Sequence, residues 1–262
     1  MCQSAKCPNV AECWSQKTAT FLILGEICTR GCAFCAVEKG SPSPPPQDEP
    51  EHVAEAVSLL GLRYAVITSV TRDDLSDGGA SLFAATINAI KERTPEIKVE
   101  VLIPDFRGDD KALEQVCRAQ PDILNHNMET TERLYPQINR PRENYYRSLE
   151  VLKKAKDMGA VTKSGLMIGL GEKKEEIVRT FSNLREAFCD LLTIGQYLQP
   201  SKTHTPVRKY YSPLEFEHLK KIALDFGFWE VESGPLVRSS YKAHKMYNYF
   251  QEKYKGSKEC VI

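Results

Sequence analysis

Thr20-Phe21-Leu22-Ile23-Leu24-Gly25 is an apolar run of strand length that ends in glycine, and Cys28-Thr29-Arg30-Gly31-Cys32-Ala33-Phe34-Cys35 follows it almost at once. The first run reads as a buried strand, so the cysteine loop leaves from that strand's C-terminal end. In parallel α/β barrels, this end of the strands is the face that carries active sites.

The same alternation continues downstream. Tyr64-Ala65-Val66-Ile67-Thr68, Ile97-Lys98-Val99-Glu100-Val101-Leu102, Asp122-Ile123-Leu124-Asn125-His126, 161–168 and 191–194 read as strands. Helical patterns lie near 50–60, 80–93, 109–119, 130–135, 143–158, 173–187 and 213–226. Six strand–helix units with short connections predict an α/β fold, a partial parallel (β/α)6 TIM-like barrel. Six units fall short of the eight that close such a barrel, leaving a lateral gap suited to a substrate delivered on a protein arm. The expected organisation is an N-terminal cysteine-rich arm over 1–19, the barrel over 20–226 and a C-terminal extension over 227–262. Ser41-Pro42-Ser43-Pro44-Pro45-Pro46 reads as a stiff polyproline-like spacer without chemistry.

At 262 residues and 42% hydrophobic content, the chain is long enough to bury a sizeable core. Lys plus Arg and Asp plus Glu both number 35, so no overall charge bias points to nucleic acid or to an anionic membrane surface. No apolar run approaches the ~20 residues of a membrane span. Met1-Cys2-Gln3-Ser4 does not open a secretion signal, so the expected compartment is the cytoplasm.

Nine cysteines narrow the chemistry, six of them within the first 35 residues. An odd total without a secretion signal argues against a disulfide framework. Two triplets stand out: Cys2-x4-Cys7-x5-Cys13 and Cys28-x3-Cys32-x2-Cys35. A closed zinc site takes four ligands, and neither triplet has a fourth cysteine or histidine nearby. Iron–sulfur clusters also usually take four cysteines, so three leave one iron open to another ligand, and that opening makes a cluster chemically active. Three plus three therefore suggests two clusters, each with one unusual position. Cys117, Cys189 and Cys260 have no partners at ligand spacing; the first two read as small buried residues and the last as part of a frayed tail.

The second triplet, with an aromatic residue just before its third cysteine, resembles the signature of the radical S-adenosylmethionine superfamily. The first triplet, placed shortly before it, resembles the arrangement of lipoyl synthases. Further stretches agree: Cys7-Pro8-Asn9, Glu12-Cys13-Trp14, Thr68-Ser69-Val70-Thr71-Arg72-Asp73-Asp74, Asp77-Gly78-Gly79-Ala80, Pro104-Asp105-Phe106-Arg107-Gly108, Gly195-Gln196-Tyr197 and Gly234-Pro235-Leu236-Val237-Arg238-Ser239-Ser240-Tyr241. The family's longer segment ahead of the first cysteine is nearly absent here.

The resemblance implies two [4Fe-4S] clusters and S-adenosylmethionine. Cys28, Cys32 and Cys35 would hold the cluster whose open iron the methionyl group chelates. Cys2, Cys7 and Cys13 would hold the auxiliary cluster, with a serine of the C-terminal motif, best aligned as Ser240, in its fourth position. The implied reaction inserts two sulfur atoms, taken from the auxiliary cluster, at C6 and C8 of an octanoyl-lysine. The implied partners are an octanoylated lipoyl carrier domain or a glycine-cleavage carrier protein, an electron donor such as flavodoxin or ferredoxin, and an iron–sulfur cluster carrier. Two alternatives stay open: a radical enzyme whose auxiliary cluster only carries electrons, and a non-catalytic iron–sulfur or zinc-binding scaffold.

Polar residues at predicted strand ends are the candidates for holding S-adenosylmethionine. Gly78 and Gly79 resemble the family's glycine-rich element beside the methionyl amino group, although a ligand-free turn would look the same. Thr68, Ser69 and Arg72 end the second strand; Arg72 either holds the methionyl carboxylate or pairs with Asp73 or Asp74. Asn127 and Glu129 suit the ribose hydroxyls, and His126 is either a contact or a satisfied structural histidine. Lys163 lies on the fifth strand, and the loop Gly169-Leu170-Gly171-Glu172 after it resembles the superfamily's adenine-side element. Gln196 and Gln199 are expected to line a substrate channel.

Overall fold

The computed structural model describes residues 7–258, with backbone alone for 253–258. Cys2 and Cys260 lie outside the described residues. In chain order, the elements begin with helix α1 (Val10–Ser15), strand β1 (Thr18–Ile23) and two short strands, β2 (Ile27–Cys28) and β3 (Glu38–Lys39). There follow α2 (Glu49–Leu59), β4 (Tyr64–Ser69), α3 (Ala80–Arg93), β5 (Lys98–Leu102), α4 (Asp110–Arg118), β6 (Ile123–Asn125) and α5 (Glu143–Asp157). The last are β7 (Thr162–Ile168), α6 (Lys174–Glu186), β8 (Leu191–Gln196), α7 (Pro213–Asp225), β9 (Glu230–Gly234) and α8 (Ala243–Lys258).

Among the described residues, seven strands form one sheet in the order β1-β4-β5-β6-β7-β8-β9, and every neighbouring pair is parallel. A parallel sheet covered on both faces needs nearly continuous apolar strands. Tyr64-Ala65-Val66-Ile67-Thr68 and Leu191-Leu192-Thr193-Ile194 supply them, buried throughout. Between the sheet and α2, α3 and α4 lies a core that includes Ile67, Phe83, Ile87, Val101 and Val116. A second core, with Leu166, Ile194, Phe181 and Phe216, fills the space under α5, α6 and α7.

The six strand–helix units stand as expected, with three differences. The first strand runs Thr18–Ile23, because Leu24 (φ +70) and Gly25 (φ +89) turn out of the sheet. A left-handed leucine is strained, and here both its backbone groups are held: its N–H donates to Glu49 Oε2 at 2.8 Å, and its carbonyl accepts from Arg72 Nη1 at 2.9 Å. The helix expected near 130–135 is instead two short 3-10 turns, Glu132–Leu134 and Pro136–Ile138. Pro136 has no N–H to continue a helix. Finally, β9 adds a seventh strand inside the segment read as the C-terminal extension. Its sequence, Glu230-Val231-Glu232-Ser233-Gly234, lacks an apolar run because only Val231 is buried at this sheet edge.

β1 and β9 form the two edges of the sheet, and the first and last described segments meet there. Asn9 Nδ2 donates to the Leu236 carbonyl at 2.7 Å, Tyr241 donates its hydroxyl to Glu12 at 3.0 Å, and Thr18 Oγ1 lies 3.3 Å from His244 Nδ1. α8 sends Ala243, Met246 and Tyr247 against Tyr64, Ile123 and Leu191, the first residues of three strands, and so plugs the N-terminal mouth of the barrel. The tail leading to α8 presses on β8 so closely that a Cβ added at Gly195 would strike the Val237 carbonyl. Gly195→Ala is therefore expected to cost about 1–3 kcal/mol, the range for forced overpacking, read as a lower urea midpoint of the metal-free chain. An unchanged midpoint would mean that the tail does not press on β8.

Candidate active site

The loop bearing Cys28, Cys32 and Cys35 sits on the C-terminal ends of the strands and is pinned on several sides. Thr29 N donates to the Thr71 carbonyl after β4 at 3.0 Å, Ala33 N to the Ile138 carbonyl at 2.9 Å, and Thr205 N to the Ala33 carbonyl at 3.0 Å. His204 Nε2 lies 3.1 Å from the Cys35 carbonyl. The three thiols are half-buried and act on one another electrostatically. Burial pushes the Cys32 thiol up to about 11 against the pull of the Arg140 charge, and burial raises Cys35 as well. Thiols so disfavoured as anions are stabilised by binding iron as thiolates. Among the described residues, no three His, Cys, Asp or Glu side chains converge to hold one metal ion. Cysteines of a cluster each bind a different iron, so three cysteines on one loop suit a [4Fe-4S] group with one position open.

Beside this loop lies a cavity of about 230 Å³ that reaches from Phe34 and Glu129 to Tyr197 and Arg238. Buried polar groups almost always have partners, yet Asn127 Oδ1 has none, while its Nδ2 donates to Ser239 Oγ at 3.3 Å. Burial pushes the Glu129 carboxyl up, against the pull of the neighbouring Arg140 charge. Arg140 lies 5.4 Å over the Tyr135 ring, and its buried Nε is unpartnered. Arg140, which sequence reading passed over, thus brings an uncommitted cation next to Cys32 and Glu129. A carboxyl and an orphaned amide oxygen line one void next to the cysteine loop, and the Arg140 charge acts on that carboxyl. Together they match a ligand that carries a carboxylate, an ammonium and hydroxyls. S-adenosylmethionine is such a ligand, and these residues fit it.

The structure redirects several of the expected contacts. Arg72 is 1% exposed and spends its guanidinium on Asp74 (2.8–3.2 Å) and the Leu24 carbonyl, so it supports the turn before the cysteine loop instead of reaching a ligand. Thr68 Oγ1 donates to the Leu102 carbonyl at 3.1 Å, whereas the neighbouring Ser69 hydroxyl is buried without a partner. Gly78 (φ +60) and Gly79 (φ +91) pack against Phe106 and Leu24, where a side chain would collide; protein packing therefore accounts for both glycines. His126 is a structural residue, bonded to the Ile103 carbonyl and Ser148 Oγ, both at 2.9 Å, and burial pushes its pKa down to about 4. Gln196 lines the cavity, but its amide holds the Lys209 carbonyl and the Tyr211 N–H; Gln199 donates to the His204 carbonyl. Glu172 accepts from the N–H groups of Gly169 and Leu170, closing its own loop.

Lys163 is the clearest correction. Both it and Glu100 have fully buried side chains, with Nζ–Oε distances of 3.0 and 3.2 Å, and Tyr64 and Asn125 donate to the same carboxylate. Side chains two residues apart on a strand share a face, so Lys163 and Asn125 lie one layer beneath Gly165 and Asn127, which line the cavity. The lysine braces the floor of the cavity through Glu100.

Across the sheet edges, Cys7 and Cys13 of the arm face Ser240, Arg238 and Tyr241 of the tail in a narrow cleft closed by Thr18 and Thr20. The two serines of the tail motif diverge: Ser239 bonds Asn127 in the first cavity, and Ser240 opens on the cysteine cleft. Arg238 lines both. Cys117 is half-buried, with burial pushing its thiol up to about 11, and Cys189 is fully buried; both sit apart from either site.

Removing one partner of a buried ion pair costs about 3–5 kcal/mol. Lys163→Met is expected to destabilise the metal-free chain by this amount in urea, and adding Glu100→Gln should recover most of the loss. Unchanged stability together with weakened S-adenosylmethionine binding would return Lys163 to the ligand site.

Comparison with known proteins bears on the same residues. The model of the radical SAM superfamily matches residues 22–184. A lipoyl synthase of Rubrobacter xylanophilus is 58% identical over 247 residues, covering 94% of this chain and 77% of that protein. One of Halalkalibacterium halodurans is 53% identical over 264 residues, covering 100% and 87%. Among solved structures, Streptococcus suis SuiB bound to S-adenosylmethionine superposes with a TM-score of 0.63 at 14% identity, covering 86% of this chain and 52% of that one, a likeness of fold alone. Identity at this level over nearly the whole chain, with both cysteine sites in one open parallel barrel, places the chain in the lipoyl synthase family of the radical SAM superfamily.

Proposed function

We propose that this chain inserts two sulfur atoms at C6 and C8 of an octanoyl group amide-linked to a carrier lysine, giving lipoyl-lysine. The observation that carries this reading is the tail segment Arg238-Ser239-Ser240. Its adjacent serines face the ligand cavity and the Cys7–Cys13 cleft, so one short peptide spans both sites. An auxiliary cluster meant only to pass electrons has no need of a hydroxyl beside it. A serine ligand, a harder donor than thiolate, suits a cluster that gives up its sulfur.

Cys28, Cys32 and Cys35 are assigned to the first [4Fe-4S] cluster, and Cys2, Cys7, Cys13 and Ser240 to the second. When bound, the first supplies the electron that splits S-adenosylmethionine to a carbon radical, and the second supplies sulfur, chemistry that side chains alone do not provide for unactivated C–H bonds. Arg140 holds the methionyl carboxylate as a charge-assisted pair. Asn127 Oδ1 accepts from a ribose hydroxyl, and Glu129 binds on the same side. Phe34, Tyr197 and Val237 close the cavity against water.

The expected partners follow from the chemistry. An octanoylated lipoyl carrier domain or glycine-cleavage carrier protein brings the substrate, and a donor such as flavodoxin or ferredoxin brings electrons. An iron–sulfur carrier rebuilds the consumed cluster. Among the described residues no helix is long and apolar enough to cross a membrane, and we place the reaction in the cytoplasm.

Anaerobic reconstitution, followed by dithionite, S-adenosylmethionine and an octanoyl-lysyl peptide, tests the assignment by mass spectrometry. The expected product gains two sulfurs at two deoxyadenosines per peptide. Arg140→Met should need at least tenfold more S-adenosylmethionine at unchanged iron content, as expected from losing about 1.5–3 kcal/mol of a hydrogen bond to a charged group. Deoxyadenosine without sulfur in the peptide would keep the radical chemistry and defeat the lipoyl assignment.

A further inference from the structure

Arg30 lies between Cys28 and Cys32 of the second triplet, yet its side chain reaches into a pair of carboxylates. Nε and Nη2 donate to Asp73 at 2.6 and 2.8 Å, and Nη2 also donates to Asp105 at 2.6 Å. Asp73 comes from the loop after β4 and Asp105 from the loop after β5. The Asp105 side chain is fully buried, accepts from Arg107 N at 3.1 Å and faces Arg147 Nη1 at 3.5 Å. The adjoining backbone is tied at the same place: Thr29 Oγ1 donates to the Thr71 carbonyl at 2.9 Å and accepts from Asp73 N at 3.1 Å. Among the described residues, the loop's ion pairs are those of Arg30; its later half, from Gly31 to Cys35, is held by hydrogen bonds to carbonyl groups.

We propose that Arg30 is a positioning residue: by joining Asp73 and Asp105 it fixes the Cys28 half of the loop to the ends of two central strands, and so sets the distance between the cysteine-held cluster and the ligand cavity. This rests on the reading that Cys28, Cys32 and Cys35 hold the cluster that S-adenosylmethionine chelates. The physical case has three parts. A planar guanidinium can grip one carboxylate with two bonds and a second with the same fork, which an ammonium cannot reproduce. A fully buried carboxylate is anchored far more tightly than a surface one, so Asp105 transmits the position of β5 to the loop. Reaction between bound groups is steeply sensitive to placement, with about 1 Å of misplacement costing roughly 10²-fold.

The test compares the reconstituted parent with Arg30→Lys, Asp105→Asn and the half-exposed Asp73→Asn. It reads iron content, thermal unfolding and the electron paramagnetic resonance spectrum of the reduced protein during titration with S-adenosylmethionine. For Arg30→Lys and Asp105→Asn we expect parental iron content and a tenfold or greater rise in the ligand concentration that half-completes the spectral change. Asp73→Asn, which leaves the Asp105 contact, should shift it less. The double variant Arg30→Lys/Asp105→Asn should be no worse than the poorer single, since both break one device. A lowered unfolding temperature with a parental titration, in whichever of the variants fold, would reduce Arg30 to an ordinary structural ion pair and overturn the proposal. No spectral change in the parent would defeat the underlying cluster reading, and this proposal with it.

Discussion

β1 and β9 stand at the two edges of a parallel sheet that does not close on itself, and an exposed strand edge has to be covered or paired. Here the cover is supplied by the described arm and tail together. The arm brings Asn9 and Glu12, the tail brings Leu236 and Tyr241, and hydrogen bonds across more than two hundred residues of sequence join them. Closing the gap this way has a chemical consequence. Cys7 and Cys13 come to face Ser240, while the residue before it, Ser239, looks into the barrel's own cavity. The Cys7–Cys13 cleft and the barrel's own cavity are therefore neighbours because one structural gap is covered by one short peptide.

Charged residues at the catalytic end of the barrel divide by whether they are already committed. Arg72 supports the left-handed turn at Leu24, Arg30 joins two loops, and Lys163 braces Glu100 below the cavity. Each is paired with at least one protein carboxylate, so each has a structural partner already in place. Arg140 keeps a buried Nε with no partner and acts electrostatically on Cys32 and Glu129. Burying such a donor unpaired costs about 1–3 kcal/mol until something binds it, and this is the ground for proposing Arg140, and not the paired residues, as a ligand contact.

How much of this the sequence discloses depends on the range of the interactions involved. Local patterns were legible: the apolar runs of β4, β7 and β8, the helix near 213–226, and the spacing of both cysteine triplets. β9 was not, because an edge strand buries little and Glu230-Val231-Glu232 shows no apolar run. Lys163 was read as a ligand contact, and for Arg72 a ligand and an aspartate partner both stayed open, because a charged residue at a strand end looks the same whether its partner is a ligand or a protein carboxylate. Arg140 was missed for the converse reason, since Asn139-Arg140-Pro141 reads as an ordinary polar turn. The choice between Ser239 and Ser240 rested on motif alignment alone, and only the folded tail separates the faces they present.

The central claim, that sulfur leaves a cluster held where the arm meets the tail, is tested most directly by isotope. Clusters are rebuilt with heavy-isotope sulfide, and the two carbon-bound sulfurs of the octanoyl-derived product are weighed. The account predicts heavy sulfur at both carbons from the parent protein, and from Cys13→Ala deoxyadenosine without sulfur insertion. Light sulfur in the parent product, or full insertion by Cys13→Ala, would contradict it.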